Sequence, residues 1–228
     1  MPESKRLKTL VSWSTGKDSA WMLHRLQQDA SIEVVGLLTT FNAAFDRVAM
    51  HGTRRVLAEA QARAAGLPLW DVPLPWPCSN TEYECRMAAV MERARGAGVT
   101  QVAFGDLFLE EIRRYRVEKM AGTGVTPIFP LWGRAADTAA LAQTMQAAGL
   151  KAVLVSVDPK QLEPRFAGRV WDASLLAELP SSVDPCGEKG EFHTFCFAGP
   201  CFHEAIQYKV GEVIERDGFW FADVLPAV

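Results

Sequence analysis

Two periodicities of apolar residues alternate along the first part of the chain. Short apolar runs with the length of buried strands occupy residues 7–13, 33–40, 67–72, 99–105 and 125–132. Between these runs, apolar residues recur three or four positions apart, which predicts helices, the first at residues 18–28 and the last at residues 107–121. Because strands that alternate with helices form right-handed crossover units, we predict an α/β fold with a five-stranded parallel sheet.

Capping residues mark the ends of the predicted helices. Thr53 precedes the second helical pattern as an N-cap residue, and Gly66 ends that pattern. Ser79 and Glu82 have the spacing of a capping box at the start of the third helix. Asp137 is the predicted cap of a later helix.

The pattern changes after the fifth apolar run. A helix is predicted at residues 138–148 and a strand at residues 151–157. The chain is then irregular up to an alternating segment, EFHTFCF, and a hairpin that turns at residues 216–218. We therefore predict two domains, an α/β domain of residues 1–132 and a smaller α+β domain of residues 133–228.

The charge balance narrows the class of protein. The 228 residues include 24 Lys and Arg and 27 Asp and Glu, for a net charge of -3. Such a balance argues against a protein that coats nucleic acid or an anionic membrane. No apolar run approaches the roughly 20 residues of a membrane span, and the N-terminus lacks the apolar core of a signal peptide. We expect a cytoplasmic protein with no membrane partner and no nucleic-acid partner, and the sequence is compatible with a homodimer.

The five cysteines allow two interpretations. An odd number in a reducing compartment favours free thiols. Cys186, Cys196 and Cys201 lie near His193 and His203, so a zinc site is the alternative. The spacing contains no C-x2-C pair of the kind common in zinc sites, which favours free thiols.

The stretch SWSTGKDS, residues 12–19, joins the first predicted strand to the first predicted helix. Backbone N–H groups at a helix N-terminus, with the helix dipole behind them, bind anions. Ser14, Thr15 and Ser19 add hydroxyl groups, and Lys17 adds a positive charge. The alternative is an ordinary strand–turn–helix junction with capping residues.

Asp18 is unusual at an anion site because its carboxylate repels phosphate. It is explained as a helix cap or as a ligand of Mg²⁺ bound to the phosphate groups. The stretch is not a Walker loop, because that loop has Ser or Thr where Asp18 stands and a glycine where Val11 stands.

SWSTGKDS resembles the pyrophosphate loop, S-G-G-x-D-S, of the ATP pyrophosphatases, which use ATP to adenylate an oxygen and release pyrophosphate. The resemblance implies that the triphosphate of ATP binds to Ser12, Ser14, Thr15, Gly16, Lys17, Asp18 and Ser19. It also implies that adenine meets the end of the second strand at Leu38 and Thr39. Thr15 occupies the first glycine position of the loop. Because a β-branched residue is strained at positive φ, we predict a negative φ for Thr15.

A second motif covers residues 104–132, FGDLFLEEIRRYRVEKMAGTGVTPIFPLW. Gly105 and Asp106 end the fourth predicted strand. We call residues 12–19 the phosphate loop. In an open parallel sheet, ligands bind beyond the carboxyl ends of the strands, so Asp106 is predicted to face the same crevice as this loop.

The helix in this motif carries three arginines with different expected partners. Arg113 and Arg116 share a helical face with apolar residues, so they are predicted to meet carboxylates or phosphates in a partly buried place. Arg114 is predicted to pair with Glu110 or Glu118 on the solvated surface.

A third motif, DPCGEKGEFHTF, covers residues 184–195. Its glycines allow tight backbone turns. Strand alternation places Glu191 and His193 on one face and Thr194 on the other. A glutamate beside a histidine can bind an amine or carry a proton, and the alternative is a hairpin tip with solvated charges.

Together the three motifs resemble the diphthine–ammonia ligase family, also called the diphthamide synthase ATP-binding domain proteins, over nearly the whole chain. The form CGEKGEFHT resembles a bacterial branch of that family. The resemblance implies an adenine nucleotide α-hydrolase fold, which is Rossmann-like, for the first domain. It also implies ATP and Mg²⁺ as cofactors and an AMP-forming amide ligase. A carboxylate on a small molecule or a modified residue is adenylated, and ammonia or an amine then displaces AMP.

The resemblance implies three sets of site residues. The catalytic residues are Lys17, Asp18 and Asp106, and Asp18 is also the implied Mg²⁺ ligand. Gly105 joins the ATP-binding residues. The substrate-binding residues are Arg113, Arg116, Glu118, Gly187, Glu188, Glu191, His193 and Thr194. No glutaminase nucleophile is evident, so ammonia is expected to come from solution.

Two other functions stay open. A regulatory module that binds ATP or AMP without turnover is the first alternative, because Thr15 departs from the loop pattern. A tRNA-thiolating enzyme shares the loop and is the second. Such an enzyme needs a catalytic cysteine pair and a basic docking surface, and neither is evident in the sequence.

Overall fold

The computed structural model of the protein describes residues 6–227. Residues 1–5 and 228, at the outer ends of the two predicted domains, lie outside this description. The first ten elements are β1 (Leu7–Ser12), α1 (Lys17–Gln27), β2 (Ile32–Asn42), β3 (Arg47–Val48), α2 (Arg55–Ala65), β4 (Leu69–Leu74), α3 (Asn80–Gly96), β5 (Gln101–Ala103), α4 (Glu110–Met120) and β6 (Thr126–Ile128). The others are α5 (Thr138–Ala147), β7 (Lys151–Val157), α6 (Ala173–Glu178), β8 (Phe192–Ala198), β9 (Tyr208–Arg216) and β10 (Phe219–Pro226).

Five parallel strands form the central sheet, which confirms the predicted α/β fold. Strand β1 lies between β2 and β5, β6 follows β5, and β4 pairs with the outer side of β2. The two-residue strand β3 adds an antiparallel pairing at the end of β2. With β1 in the middle, the loop between β1 and α1 emerges at the carboxyl edge of the sheet, where open α/β folds bind ligands.

A second sheet, which is antiparallel, gives the later part of the chain its α+β character. Its strand order is β8–β7–β10–β9. The hairpin of β9 and β10 turns at Asp217 and Gly218, both at positive φ, as predicted. The short helix α6 was not predicted. The carboxylate of Asp172 caps it by accepting a hydrogen bond from the N–H of Leu175 at 2.9 Å.

The largest buried apolar cluster joins the two sheets. It combines Trp13 and Met22 from the β1–α1 region with Leu154 and Phe192 from β7 and β8. The antiparallel sheet therefore packs directly behind the loop that precedes α1. The division of the chain into domains at residues 132 and 133 stays a prediction.

Two of the predicted caps form no side-chain capping bond, because their side chains have other partners. Arg54, not Thr53, is the N-cap residue of α2, and the Thr53 hydroxyl instead meets that of Thr15 at 2.9 Å. Asp137 is the N-cap residue of α5, as predicted, but its carboxylate forms an ion pair with Arg134 and accepts no capping hydrogen bond from the helix. The predicted cap at Ser79 is confirmed, since its hydroxyl accepts from the N–H of Glu82 at 3.1 Å.

Helix α4 begins at Glu110, three residues later than predicted. The N–H of Leu107 donates to the carboxylate of Glu188 at 2.7 Å. This contact holds the segment after β5 in a non-helical conformation, against the third motif. The predicted end of α2 is confirmed, because Gly66 closes it at a φ of 66°.

Candidate functional site

The loop before α1 has the shape expected of an anion site. Helix α1 begins at Lys17, after Gly16 in an extended conformation. The hydroxyl of Ser19 donates to the carbonyl of Gly16 at 2.8 Å, and the hydroxyl of Ser14 lies 3.4 Å from that of Ser19. Ser14 and Asp18 are partly exposed, whereas Thr15, Gly16 and Ser19 are buried. A ligand at the helix start would therefore meet Ser14 and Asp18 first.

Thr15 adopts a φ of 71°, so the predicted negative φ is wrong. A left-handed conformation costs a β-branched residue about 1–3 kcal/mol. Hydrogen bonds on both sides of the residue offset that cost. The carbonyl of Thr15 accepts from the N–H of Cys196 at 2.9 Å and from Nε2 of Gln61 at 3.0 Å. Its hydroxyl donates to Thr53. Tertiary contacts thus impose the conformation that a glycine would adopt freely.

Gln61 is a buried polar residue that sequence analysis missed. Its side chain is 0% exposed. The amide oxygen accepts from Nε1 of Trp13 at 2.9 Å, and the amide nitrogen donates to the carbonyls of Thr15 and Cys196. One feature of the sequence could have predicted its burial: Gln61 lies on the same face of α2 as the buried Leu57, four residues earlier. A lone amide on an apolar helix face needs buried partners.

Lys17 does not extend into solvent. Its side chain is 2% exposed, and its ammonium donates to the carboxylate of Asp18 at 2.8 Å and to the carbonyl of Cys186. It also lies 5.5 Å from the ring centroid of Trp171. Burial lowers the pKa of Lys17, but the Asp18 carboxylate more than offsets this, so the pKa lies above its ordinary value. In this conformation Lys17 stays charged and neutralises Asp18.

Thr194 brings the third motif to the phosphate loop. Its hydroxyl accepts a hydrogen bond from the N–H of Lys17 at 3.1 Å. A Cβ on Gly16 would lie only 3.2 Å from the Thr194 carbonyl. Thr194, the member of the motif that alternation turns away from Glu191 and His193, therefore touches the loop directly.

Glu191 has a structural role inside the third motif. It is 1% exposed, and its carboxylate accepts from the N–H groups of Asp184 at 2.8 Å and Lys189 at 2.9 Å. The carboxylate thereby closes the turn of residues 184–191 and does not line the crevice as predicted. Gly187 is required in this turn, because its φ is 70° and a Cβ would lie 2.8 Å from the carbonyl of Phe192.

Glu188 lies between the second motif and the phosphate loop. Its carboxylate accepts from the N–H of Leu107. Burial raises the pKa of Glu188 to about 7, and the nearby carboxylates of Asp18 and Asp106 act in the same direction. Gly105 approaches the loop closely, since a Cβ there would lie 3.5 Å from the carbonyl carbon of Asp18. The carboxyl end of β5 and the start of α1 therefore share one crevice.

Asp106 and Arg116 form the ion pair that the sequence predicted for Arg116. Nε of Arg116 lies 2.6 Å from one carboxylate oxygen of Asp106, and Nη2 lies 3.2 Å from the other. The guanidinium also lies 4.4 Å from the ring centroid of Phe104. This two-point contact orients Asp106 at the edge of the crevice.

Arg113 lies one turn before Arg116 on α4, and its contacts are with residues outside the phosphate loop. The guanidinium of Arg113 lies 4.7 Å from the ring centroid of Trp132 and 3.7 Å from the carboxylate of Glu110. Within residues 6–227, neither Arg114 nor Glu118 forms an ion pair, so the predicted surface pairing of Arg114 is wrong.

Leu38 and Thr39 support the loop from behind. Both are buried. The carbonyl of Leu38 accepts from the N–H of Trp13 at 2.8 Å, and the hydroxyl of Thr39 donates to the carbonyl of Trp13 at 2.9 Å. The Leu38 carbonyl and the Thr39 hydroxyl are therefore already paired, and the adenine contact stays a prediction. Ser12, half-buried, ends β1 just before the loop.

Two histidines in contact, with their rings tilted by 36°, also flank the loop. The ring centroids of His51 and His193 lie 4.4 Å apart, and a Cβ on Gly16 would lie 3.4 Å from Cε1 of His51. Burial lowers the pKa of His193 to about 4 and places the pKa of His51 well below its ordinary value, so both rings are neutral near pH 7. Nδ1 of His51 is a buried polar atom without a hydrogen-bond partner among the described residues.

A cavity of about 580 Å³ extends outward from this histidine pair. It lies between the loop after β3, the segment after β4 and the β9–β10 hairpin, and its size suits a metabolite. A shallower depression of about 650 Å³ lies at the C-terminal end of α1, beside Arg25 and Phe129.

Metal clusters, disulfides and membrane-spanning helices are all absent from the described part of the chain, residues 6–227. Across residues 6–227, no three His, Cys, Asp or Glu side chains gather as a metal cluster. All five cysteines are free thiols, and burial raises the pKa of Cys186 and of Cys201 to about 12. None of the helices described is both long and apolar enough to cross a membrane.

Comparisons with known proteins agree with this geometry. The family model described as the diphthamide synthase N-terminal domain matches residues 7–125, and that described as the diphthamide synthase C-terminal domain matches residues 137–224. A protein of Danio rerio named diphthine–ammonia ligase is 30% identical over 232 residues, covering 92% of this chain and 90% of that protein. A protein of Bos taurus with the same name is 28% identical over 161 residues, covering 67% of this chain and 58% of that protein.

Proposed function

Since the chain belongs to the diphthamide synthase family, we propose that it is an ATP-dependent ligase that joins a carboxylate to ammonia or an amine. The observation that carries the proposal is the contact between the Lys17 N–H and the Thr194 hydroxyl at 3.1 Å. It joins the start of α1, an anion-binding position, to the motif of the second sheet. Residues 1–132 are proposed to bind ATP, and residues 133–228 are proposed to take part in binding the acceptor.

The triphosphate is proposed to bind at the N-terminus of α1. Ser14, Gly16 and Ser19 surround that position, and the helix dipole favours a negative charge there. Lys17 contributes through its charge and not through a direct contact in the conformation seen, because its ammonium is paired within the protein.

Mg²⁺ is proposed to bind with the phosphate groups. Proteins usually hold this ion with one or two carboxylates together with phosphate oxygens and water. Asp18 fits this role, since it stands in the first turn of α1 and is 27% exposed. The bound ion would supply charge neutralisation for the phosphate groups. The hydrogen bonds from Lys17 hold the Asp18 carboxylate in place.

The proposed reaction has two steps. An oxygen of the acceptor carboxylate attacks the α-phosphorus of ATP, and the bond to pyrophosphate breaks. Ammonia or an amine then attacks the acyl carbon through its lone pair, and AMP leaves with the electrons of the C–O bond. The protein contributes mainly position and charge. Glu188 is the proposed acceptor of the proton that the incoming nitrogen loses, because its pKa of about 7 suits general-base work near neutral pH.

The acceptor is proposed only by its chemical class. The relatives are named for diphthine and ammonia. For this chain we propose a carboxylate, on a small molecule or a modified residue, that reacts with ammonia or an amine.

The homodimer stays a prediction. The second candidate, a nucleotide-binding regulatory module without turnover, is favoured if ATP binds tightly and no product forms.

The experiment measures products with a panel of carboxylates that includes a diphthine-bearing peptide. Protein, ATP, Mg²⁺ and ammonium are incubated with each compound, and ³¹P NMR follows the nucleotide. We expect equal amounts of AMP and pyrophosphate, and only when a suitable carboxylate is present. Formation of ADP and phosphate with every active compound would refute the proposal.

A pair of glycine variants tests the location of the nucleotide. In Gly16→Ala the new Cβ would press on the carbonyl of Thr194, at 3.2 Å, and on His51. We expect this variant to lose ATP affinity. Gly96→Ala is the matched control, because a Cβ there meets no atom within 4 Å. Equal ATP affinities in the two variants would place the nucleotide elsewhere.

A further inference from the structure

The cavity beside the histidine pair has an aromatic entrance. Phe45 and Trp76 pack edge to face with ring centroids 5.9 Å apart, and Trp76 is 61% exposed. Phe219 and Phe221 of the hairpin line the opposite side, with centroids 6.5 Å apart. Several of the most exposed large apolar side chains of the described chain therefore border one cavity. Aromatic faces left uncovered at a cavity are typical of a ligand site for a flat apolar group.

Three arginines and three acids line the same cavity, namely Arg47, Arg54, Arg216, Glu212, Asp217 and Asp223, and two of the arginines gather at one acid. Arg47 and Arg54 share one carboxylate, that of Asp223, at 2.9 Å and 2.6 Å. The cluster carries a net charge of one positive unit at neutral pH, since two guanidinium groups face one carboxylate. Each guanidinium has five N–H donors, and the bonds to Asp223 use only some of them. The remaining donors suit an anion, above all a carboxylate.

Arg47 connects this cluster to the segment beside the phosphate loop. Nη1 of Arg47 also donates to the carbonyl of Gly52 at 2.8 Å. Gly52 follows His51, whose ring edge lies against Gly16 of the loop. The cavity thus has an exposed aromatic entrance and includes His51, the residue that lies against the phosphate loop.

We propose that this cavity binds the acceptor substrate and that the acceptor is a carboxylate with a flat, aromatic or similarly apolar body. The body lies against Phe45 and Trp76, and the carboxylate lies at Arg47 and Arg54, next to the loop. This inference rests on the proposed ligase function, which requires a carboxylate within reach of the α-phosphorus. The nucleotide and the acceptor then occupy adjoining sites that meet at the phosphate loop.

The test uses two probes of the same shape, 2-naphthoate and its neutral amide, 2-naphthamide. Calorimetry and saturation-transfer NMR measure their binding to the full-length protein. We expect 2-naphthoate to bind about tenfold more tightly, because only the carboxylate forms charge-assisted hydrogen bonds with the arginines. Equal affinities, or no detectable binding of either probe, would overturn the proposal.

Three variants locate the bound probe. Trp76→Ala is expected to lower the affinity for both probes about tenfold, because the aromatic face is lost. Arg54→Gln is expected to lower the affinity for 2-naphthoate to that for 2-naphthamide, and to leave the affinity for the amide unchanged. The reason is that the remaining Arg47–Asp223 pair is neutral. Tyr115→Ala removes an aromatic side chain that is 43% exposed on α4, and it is expected to bind both probes as the parent protein does. Unchanged binding in Trp76→Ala would exclude this cavity.

A competition experiment separates the acceptor site from the nucleotide site. Saturating ATP with Mg²⁺ is expected to leave 2-naphthoate bound, since the two sites are distinct. Displacement of the probe by ATP or AMP would assign the cavity to the nucleotide and overturn the proposal. A parent protein that binds 2-naphthoate but not ATP would refute the ligase function while leaving the cavity as a carboxylate site.

Discussion

The side-chain amide of Gln61 donates a hydrogen bond to the backbone carbonyl of Thr15 at 3.0 Å. The same nitrogen donates to the carbonyl of Cys196 at 2.6 Å, and the amide oxygen accepts from Trp13. One buried side chain on α2 therefore connects β1, the phosphate loop and β8. It holds Thr15 at a φ of 71°, where a β-branched residue is strained.

We predict that Gln61→Met weakens ATP binding by about tenfold, because Thr15 loses one of the contacts that hold its conformation. The loss should be smaller when Thr15 is also changed to Gly, since glycine adopts positive φ without strain. Calorimetry on the parent, the two single variants and the double variant gives the coupling between the residues. Fully additive losses would show that Gln61 does not act through Thr15.

Leu57→Ala is the control for the Gln61 prediction. Leu57 is buried on the same helix, four residues before Gln61. Its truncation should cost about 2–5 kcal/mol of the free energy of unfolding and leave ATP affinity unchanged. If this variant loses ATP affinity as Gln61→Met does, the effect is general destabilisation.

Lys17→Ala is predicted to destabilise the protein as well as to weaken ATP binding. The change leaves the carbonyl of Cys186 without its donor and the carboxylate of Asp18 without its partner. Breaking a buried ion pair costs about 3–5 kcal/mol, and we expect about 2–3 kcal/mol because Asp18 is partly exposed. Urea denaturation measures the change. An unchanged free energy of unfolding would mean that Lys17 is not buried as described.

Thr194→Val is predicted to lower the free energy of unfolding by about 1–3 kcal/mol. Valine has nearly the shape of threonine but leaves the buried N–H of Lys17 without an acceptor. Thr194→Ser keeps the hydroxyl and should restore most of the loss. Thermal denaturation of the two variants tests this, and equal losses in both would argue against the hydrogen bond.

Glu188 gives the protein a specific pH dependence. Its pKa of about 7 in the folded state lies above its ordinary value of 4.5. The folded protein therefore binds the proton more tightly than the unfolded chain, and the contribution of Glu188 to stability falls as the pH rises from about 4.5 to about 7. Denaturation curves over this range should show a smaller decline for Glu188→Gln. Parallel pH profiles for the parent and the variant would contradict the raised pKa.

The strands and helices were largely predictable because apolar periodicity reflects burial on one face. The fold class, the β9–β10 hairpin and the Ser79 cap follow from such local patterns. Strand β3 was missed because two residues carry no periodicity. The side chains of Thr53 and Asp137 form no capping bond because other residues, Thr15 far away in the chain and Arg134 three residues away, bind the same side-chain oxygens.

The candidate site was only partly predictable, because the partners of its side chains also lie far apart in the sequence. In the structure, Gly105 and Thr194 of the second and third motifs both lie against the phosphate loop. Sequence patterns do not show which way a side chain turns after packing, so Glu191 was assigned to the crevice although it closes a turn. His51 was missed because the histidine that it contacts, His193, belongs to the other sheet.

The central claim is that an acceptor carboxylate attacks the α-phosphorus of ATP, and oxygen transfer tests it most directly. An acceptor found in the product assay is labelled with ¹⁸O in its carboxylate and incubated with the protein, ATP, Mg²⁺ and ammonium. The account predicts one ¹⁸O atom in each AMP, with the other retained in the amide, as read by mass spectrometry. AMP without the label, or label in inorganic phosphate beside ADP, would contradict it.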